Sequence, residues 1–164
     1  MSRSLGGSLP PDLLTRLSQL DLPSHLGKTL PLITLDAEGR PHPMLVSYLE
    51  VRAADPRTIG IVINAKSRSS ENLRKRHFAT LLLVEPEQTI YVKARAQGGP
   101  HPVADLPDFA LFVLTVEDVL EDAPGEWERG IRIAGGLRYT PLPSLGEPWI
   151  QATLKALALA PRQP

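Results

Sequence analysis

The stretch that decides the fold is LPLITLDAEGRPHPMLVSYLEV, residues 30–51. An apolar run from Leu30 to Leu35 is followed by the short polar segment Asp36 to Arg40, and a second run of bulky residues extends from Met44 to Val51. Aspartate and glycine between two apolar runs are typical of a tight turn that joins antiparallel strands. Residues 30–51 therefore predict a β-hairpin.

Further strands are predicted along the chain. The segments Thr58 to Ile63 and Leu81 to Val84 are apolar, and Thr89 to Ala96 alternates apolar with polar residues, as a strand with one buried face does. Phe109 to Val116 is apolar on both faces and needs cover on both, from a packed helix or from a second subunit. Leu137 to Thr140 predicts a last strand.

Helices are predicted at both ends of the chain. Behind the helix-starting prolines Pro10 and Pro11, one apolar face is formed by Leu13, Leu14, Leu17 and Leu20. The segment Ser144 to Leu159 predicts a closing helix whose inward residues are Leu154, Leu157 and Ala158. Six or seven short antiparallel strands with terminal helices predict a mainly β fold with helices, built as a small β-barrel.

Composition limits the class of protein. The 164 residues are 42% hydrophobic, and 18 basic residues balance 18 acidic ones. This length supports one core, and the balanced charge argues against nucleic acid or an anionic membrane as a partner. There is no cysteine for a disulfide or a thiol nucleophile, and no apolar run approaches the ~20 residues of a membrane span. We expect a soluble, cytoplasmic protein of one domain.

The segment KSRSSENLRKR, residues 66–76, carries the clearest chemical signal. Ser69 or Ser70 is expected to cap a short helix that ends in basic residues. Lys66 and Arg68 then lie beside the N-terminus of this helix, where free backbone N–H groups attract anions. The segment predicts a phosphate site. Two alternatives remain: a helix that binds nothing, and a basic patch for nucleic acid, which would bind with a steep salt dependence.

Other polar groups give weaker signals. A cluster of carboxylates is interpreted as a solvated acidic turn and comprises Glu117, Asp118, Glu121 and Asp122. The four histidines lack the i,i+3 or i,i+4 spacing of a helical metal site, so no metal site is predicted: His25, His42, His77 and His101.

Several segments, in this order and spacing, resemble the flavin-binding split-barrel superfamily typified by pyridoxamine 5′-phosphate oxidase. The resemblance spans roughly residues 30–139 and rests on these stretches: Leu32 to Pro43, Ser67 to Leu73, Ala79 to Val84, Tyr91 to Ala96, Val116 to Asp122 and Gly136 to Tyr139. It implies a six- to seven-stranded antiparallel split β-barrel that forms a homodimer and holds FMN in clefts between the subunits. Residues 1–29 would be a helical segment packed on the barrel of residues 30–140, and residues 141–164 a helix and tail of the same domain.

The resemblance also implies where FMN binds. The family's phosphate segment falls on Ser67, Arg68 and Ser69, with Lys66 and Asn72 beside them. The flavin ring would lie along the strand residues Met44, Val46 and Ser47, with Lys93 or Arg95 approaching from a neighbouring strand. An FMN-dependent oxidoreductase with an unknown substrate and electron donor is the function that follows.

The chain departs from the oxidase pattern at several positions. Ser69 replaces the lysine of the phosphate segment, although Lys66 can supply that charge, and Met44 and Leu49 stand where the oxidase has a strand arginine and lysine. Pyridoxamine phosphate oxidation is therefore not expected. The alternative is a dimeric split barrel without flavin that binds haem, the deazaflavin cofactor F420 or another small molecule, or that acts as a regulatory module.

Overall fold

The computed structural model of the chain describes residues 2–86, 88–97, 99–122, 126–128, 130 and 133–161. The strands are β1 Ser2–Gly6, β2 Thr29–Leu35, β3 Pro41–Ser47, β4 Val51–Asp55, β5 Thr58–Asn64, β6 Phe78–Glu85, β7 Gln88–Ala96, β8 His101–Val103 and β9 Leu106–Asp122. The helices are α1 Pro11–Leu17, α2 Leu22–His25, α3 Arg68–Arg76 and α4 Pro148–Ala158, with single 3-10 turns at Tyr48–Glu50 and Glu126–Glu128. None of the helices in these ranges is long and apolar enough to cross a membrane.

The sheet curls into an open barrel. Its main path is antiparallel and runs in the order β3-β2-β6-β7-β9-β5-β4. The two outermost strands, β3 and β4, follow each other in the chain with only the turn Tyr48–Glu50 between them. A link from Ser47 to Val51 spans at most about 14 Å, so the two edges of the sheet must lie close together. The predicted split barrel of antiparallel strands with helices is confirmed.

The turn Tyr48–Glu50 replaces the middle of a predicted strand. The backbone N–H of Ser47 donates to Glu50 Oε2 over 2.7 Å, while Tyr48 and Leu49 are both buried. The chain thus leaves one edge of the sheet and joins the other without exposing apolar side chains. The prediction of one continuous strand from Met44 to Val51 is wrong at these three residues.

Strand β9 is buried on both faces within the chain itself. Phe112, Leu114 and Val116 belong to the core inside the barrel. On the other face Leu111 packs in a second cluster with Leu157 of α4 and with Val62, Val103 and Ala160. A packed helix, one of the two covers expected for this strand, therefore accounts for the apolar face around Leu111.

The acidic residues after Val116 continue β9 and do not form a turn, so that interpretation is wrong. β9 extends to Asp122 because β7 pairs with its last residues on one side and β1, which the sequence did not predict, pairs on the other. The carboxylates carry cross-strand bonds: Asp118 accepts from Ser4 at 2.9 Å, and Glu121 is paired with Arg3. The hydrogen bonds from Gln88 and Arg3 lower the pKa of Glu121.

Three smaller predictions are also wrong. Leu20 is 84% exposed because α1 ends at Leu17. In α4 the buried residues are Ile150, Thr153 and Leu157, whereas Ala158 is exposed. The segment Leu137 to Thr140 forms no strand and contributes one bridge, between Arg138 and Lys28.

Candidate functional site

Helix α3 begins two or three residues earlier than predicted, with Ser67 as its cap. Ser67 Oγ accepts a hydrogen bond from the N–H of Ser70 at 3.1 Å, and Ser70 Oγ donates to the carbonyl of Asn64 at 2.6 Å. The N–H groups of Lys66 and Ser67 also bond to Asn64, which fixes the bend between β5 and the helix. Ser67 and Ser70 therefore hold the helix N-terminus in place.

The first turn of α3 contains hydrogen-bond donors without acceptors. Within the described ranges, nothing accepts a hydrogen bond from the backbone N–H groups of Arg68 and Ser69 or from the exposed guanidinium of Arg68. Ser69 is 1% exposed, and its Oγ also has no partner in the part of the chain that the structure describes. A buried hydroxyl without a partner costs about 1–3 kcal/mol, which an added oxygen acceptor would recover. The helix dipole favours an anion at this position.

Lys66, the second predicted cation, is already paired. Its Nζ lies 2.9 Å from Oδ1 of Asp108 in β9, and both side chains are well exposed. The hydrogen bond and charge of Asp108 raise the pKa of Lys66. Of the two predicted cations, Arg68 is therefore unpaired among the described residues, whereas Asp108 balances the charge of Lys66 just before the helix.

Asn72 attaches α3 to the barrel. It is 6% exposed, its Nδ2 donates to Thr34 Oγ1 at 3.0 Å, and its Oδ1 accepts from Arg76 Nη1 at 3.3 Å. Because residues three apart share a helix face, Ser69 lies on the same buried face as Asn72. The role that this geometry gives Asn72 is to position the first turn against β2.

The three residues of β3 predicted to lie along the flavin ring are largely buried. Val46 has no exposed surface and Met44 is half-buried against the same core cluster. Ser47 is 8% exposed and its N–H is engaged by Glu50. Leu49, at the position of the oxidase lysine, is 2% exposed.

Lys93 and Arg95 lie away from the first turn of α3. Arg95 Nε bonds to Glu117 Oε1 at 2.7 Å and its guanidinium lies 4.3 Å from the centroid of the Phe78 ring. Phe78 follows the C-terminal end of α3, about 12 Å along the helix axis from Arg68. Lys93 Nζ lies 4.0 Å from Asp118. The structure thus does not bring these two cations together with Arg68 and Ser69.

A second polar cluster, which the sequence did not predict, lies at the opposite end of β2. Lys28 Nζ donates to Glu85 Oε1 at 3.0 Å, and the hydroxyl of Tyr48 reaches the same oxygen at 3.4 Å. The ring of His25 stacks on Tyr48 with centroids 4.9 Å apart. Burial, followed by the charge of Glu85, raises the pKa of Tyr48, and burial, followed by Lys28, lowers the pKa of His25. The cluster joins residues 25–28 to Tyr48 and Glu85, which are distant in the sequence, so no local sequence pattern indicates it.

Comparison with known proteins identifies the fold. No family model matches the chain, and no curated protein matches it. Among solved structures, a candidate pyridoxamine 5′-phosphate oxidase from Lactobacillus delbrueckii matches with a TM-score of 0.57 and 17% identity, covering 71% of this chain and 98% of that one.

Two further solved structures are similar to this chain over most of their length. A variant of HupZ from Group A Streptococcus has a TM-score of 0.54 at 12% identity over 70% of this chain and 99% of its own. An FMN-binding protein from Syntrophomonas wolfei has a TM-score of 0.51 at 14% identity over 70% of this chain and 89% of its own. At these identities the likeness concerns the fold. The chain has the split-barrel fold of pyridoxamine 5′-phosphate oxidase-like proteins.

Proposed function

We propose that this chain is an FMN-binding protein and that the first turn of α3 holds the phosphate of the flavin. The observation that carries the proposal is a set of donors on Arg68 and Ser69, including a buried hydroxyl, for which the described residues provide no acceptor. A phosphate offers several acceptor oxygens and a negative charge, which together match these donors and the positive end of the helix dipole. One of the similar structures is itself an FMN-binding protein.

The residues present fit a phosphate with one modest rearrangement. Arg68 supplies a full charge, Ser69 supplies a hydroxyl, and Asn72 keeps both in place through Thr34. Lys66 adds its charge by turning from Asp108 toward the bound phosphate. Bound FMN would supply hydride or electron transfer, and the chain would bind and orient it, as an oxidoreductase of unknown substrate and electron donor.

The likeness to split-barrel proteins also leads us to propose that two copies of the chain form the complete flavin cleft. In that arrangement β3, an outer strand of the sheet, lies along the ring and contributes mainly its backbone, because Val46 is fully buried. Light scattering with size-exclusion chromatography tests this directly. A mass near twice 17.9 kDa supports the dimer, and a mass equal to one chain argues against it.

Titration of FMN into the purified protein, followed by flavin fluorescence, tests the phosphate site. Charge-assisted hydrogen bonds contribute about 1.5–3 kcal/mol, so Arg68→Ala should weaken FMN binding by roughly 10-fold or more. Ser69→Ala should weaken it by about 5-fold, the effect of one neutral hydrogen bond.

The matched control is Lys75→Ala, which removes the same charge from the other end of the same helix, where Lys75 pairs with Glu71. It should change FMN affinity by less than about 2-fold, since an exposed i,i+4 pair contributes little. Equal losses of FMN affinity in the Arg68→Ala and Lys75→Ala variants would contradict the proposal, and so would the absence of FMN binding by the unaltered protein.

One observation favours a second candidate, a split barrel without flavin that binds F420 or haem. Met44 and Leu49 lie packed against or within the core at positions where the oxidase has cations. Titrating the protein separately with FMN, F420 and haem distinguishes the two functions. Binding of F420 or haem at one per subunit, with no binding of FMN, would favour this candidate.

A further inference from the structure

We propose that the cavity at the end of β2 opposite α3 binds a carboxylate group. The cavity has about 230 Å³ of space including its mouth, is open to solvent, and has enclosed room for one water-sized group. Its polar lining is formed by Lys28, Thr29, Tyr48, Glu85 and Arg138. Thr29 begins β2, whereas Thr34, which holds α3, lies five residues further along, about 17 Å away. This site is therefore separate from the proposed phosphate site.

Thr29 supplies a donor that no acceptor among the described residues satisfies. Its side chain is 7% exposed and lines the cavity, and its Oγ1 has no hydrogen-bond partner. Such a hydroxyl is costly to bury unless an acceptor reaches it. Because Thr29 lines the cavity, we place the missing acceptor oxygen there, reached by a small turn of the hydroxyl toward the cavity.

The charges around Thr29 favour an anion of single charge. Lys28 and Arg138 are paired residues of an antiparallel bridge, and like charges directly opposite each other repel. Glu85 balances one of the two cations through its bond to Lys28, and no acceptor engages the exposed guanidinium of Arg138 among the described residues. The charged residues that line the cavity thus sum to one positive charge, which a carboxylate neutralises.

The size of the cavity matches a carboxylate. In the proposed complex, one carboxylate oxygen occupies the enclosed part and accepts hydrogen bonds from Thr29 and Lys28, while the second oxygen stays at the mouth with Arg138. A planar pair of oxygens is the partner that a guanidinium binds best. The remainder of the ligand would extend into solvent, so the geometry specifies the carboxylate and not the body of the molecule.

The segment of residues 136–142, here called the strap, keeps the site formed. The N–H of Thr29 donates to the carbonyl of Leu137 at 3.1 Å, and the N–H of Tyr139 donates to the carbonyl of Gly27 at 2.7 Å. A Cβ on Gly136 would lie 2.4 Å from the carbonyl oxygen of Val84. The strap therefore lies directly against the barrel, and the ligand would find the donors already placed.

Titration of sodium formate into ¹⁵N-labelled protein, followed by amide chemical shifts, tests the proposal. Sodium chloride at equal ionic strength serves as the reference. We expect saturable, formate-specific shifts at Thr29, Leu137 and Arg138. Thr29→Val and Arg138→Gln should each weaken formate binding by about 5-fold or more, the effect of losing one hydrogen bond to a charged group.

Two variants keep the test interpretable. Thr29→Val replaces an unsatisfied hydroxyl with a methyl group of the same shape, so the fold should be retained. Arg57→Gln removes a charge from an exposed arginine in the turn between β4 and β5 and should leave formate binding unchanged. Shifts that chloride reproduces, formate binding that survives Thr29→Val, or tighter binding of phosphate at the same amides would overturn the proposal.

Discussion

The two ends of β2 present different kinds of polar site. At the Thr34 end, a helix N-terminus offers donors from two consecutive residues, Arg68 and Ser69. At the Thr29 end, the donors come from separate segments that the strap brings together. Lys28, one of the two cations there, is already paired with the carboxylate of Glu85. The first site depends on how one helix starts, whereas the second depends on how distant parts of the chain pack.

This difference means that the two sites should fail separately. A change that moves α3 should affect FMN and leave the strap intact. A change that moves the strap should affect formate and leave the first turn of α3 intact.

The largest expected effect is at the strap end. Gly136→Ala places a Cβ 2.4 Å from a backbone oxygen, so either the strap or β6 must shift. We expect a loss of about 1–3 kcal/mol in the free energy of unfolding, measured by chemical denaturation. Gly135→Ala is the matched control, because its Cβ would meet nothing within 4 Å. Equal stability of the two variants would show that the strap does not lie where described.

The next effect is at the α3 end. Asn72→Ala removes the buried bond to Thr34 and the acceptor of Arg76. We expect a loss of about 1–3 kcal/mol in the free energy of unfolding together with weaker FMN binding, measured on the same samples. Formate-induced shifts at Thr29 should persist, and their loss would mean that the two ends of β2 are coupled.

A smaller effect, on FMN affinity, is expected at the α3 end. Asp108→Asn removes the carboxylate that holds Lys66 and so frees this lysine for the phosphate. We expect tighter FMN binding by no more than about 5-fold, since exposed pairs are weak. The affinity for riboflavin, which has no phosphate, should stay the same. Weaker FMN binding in this variant would show that Asp108 assists the site.

The smallest effect concerns His25, whose ring stacks on Tyr48 in the lining of the cavity. Its pKa is lowered below 6.5 in the folded chain, so the unfolded chain takes up the proton first as the pH falls. His25 should therefore reduce stability progressively below about pH 6.5, until its folded pKa is passed. Between about pH 7.5 and pH 5.5, His25→Phe, which keeps a ring on Tyr48, should lose less stability than the unaltered protein. Parallel pH curves would contradict this.

Much of the fold could be predicted because its signals are local. The alternation of Ile90, Val92 and Ala94 with polar residues marks β7, and all three are buried. The donors at the start of α3 also lie within a few consecutive residues. The sequence alone predicts the N-cap at Ser69 or Ser70 and not at Ser67, because serines occupy all three positions and only the bend at Asn64 decides among them.

The rest depends on contacts between distant residues. Strand β1 is polar and forms because β9 extends far enough to pair with it. The ion pair that occupies Lys66 joins residues 42 apart, and one side of the cavity at Thr29 is lined by a strap more than 100 positions further along the chain. No periodicity or motif in one segment indicates such pairings. The sequence therefore predicts that both Lys66 and Arg68 are free to bind phosphate, whereas Lys66 is paired with Asp108, and it does not predict the cavity at Thr29.

The central claim is that the first turn of α3 binds the phosphate of FMN. The most direct measurement compares the dissociation constants of FMN and riboflavin, which differ by that phosphate, on the unaltered protein and on a variant that combines Arg68→Ala with Ser69→Ala. The account predicts that FMN binds at least about 10-fold more tightly than riboflavin and that this advantage disappears in the variant. Equal affinities in the unaltered protein, or an advantage that survives in the variant, would contradict it.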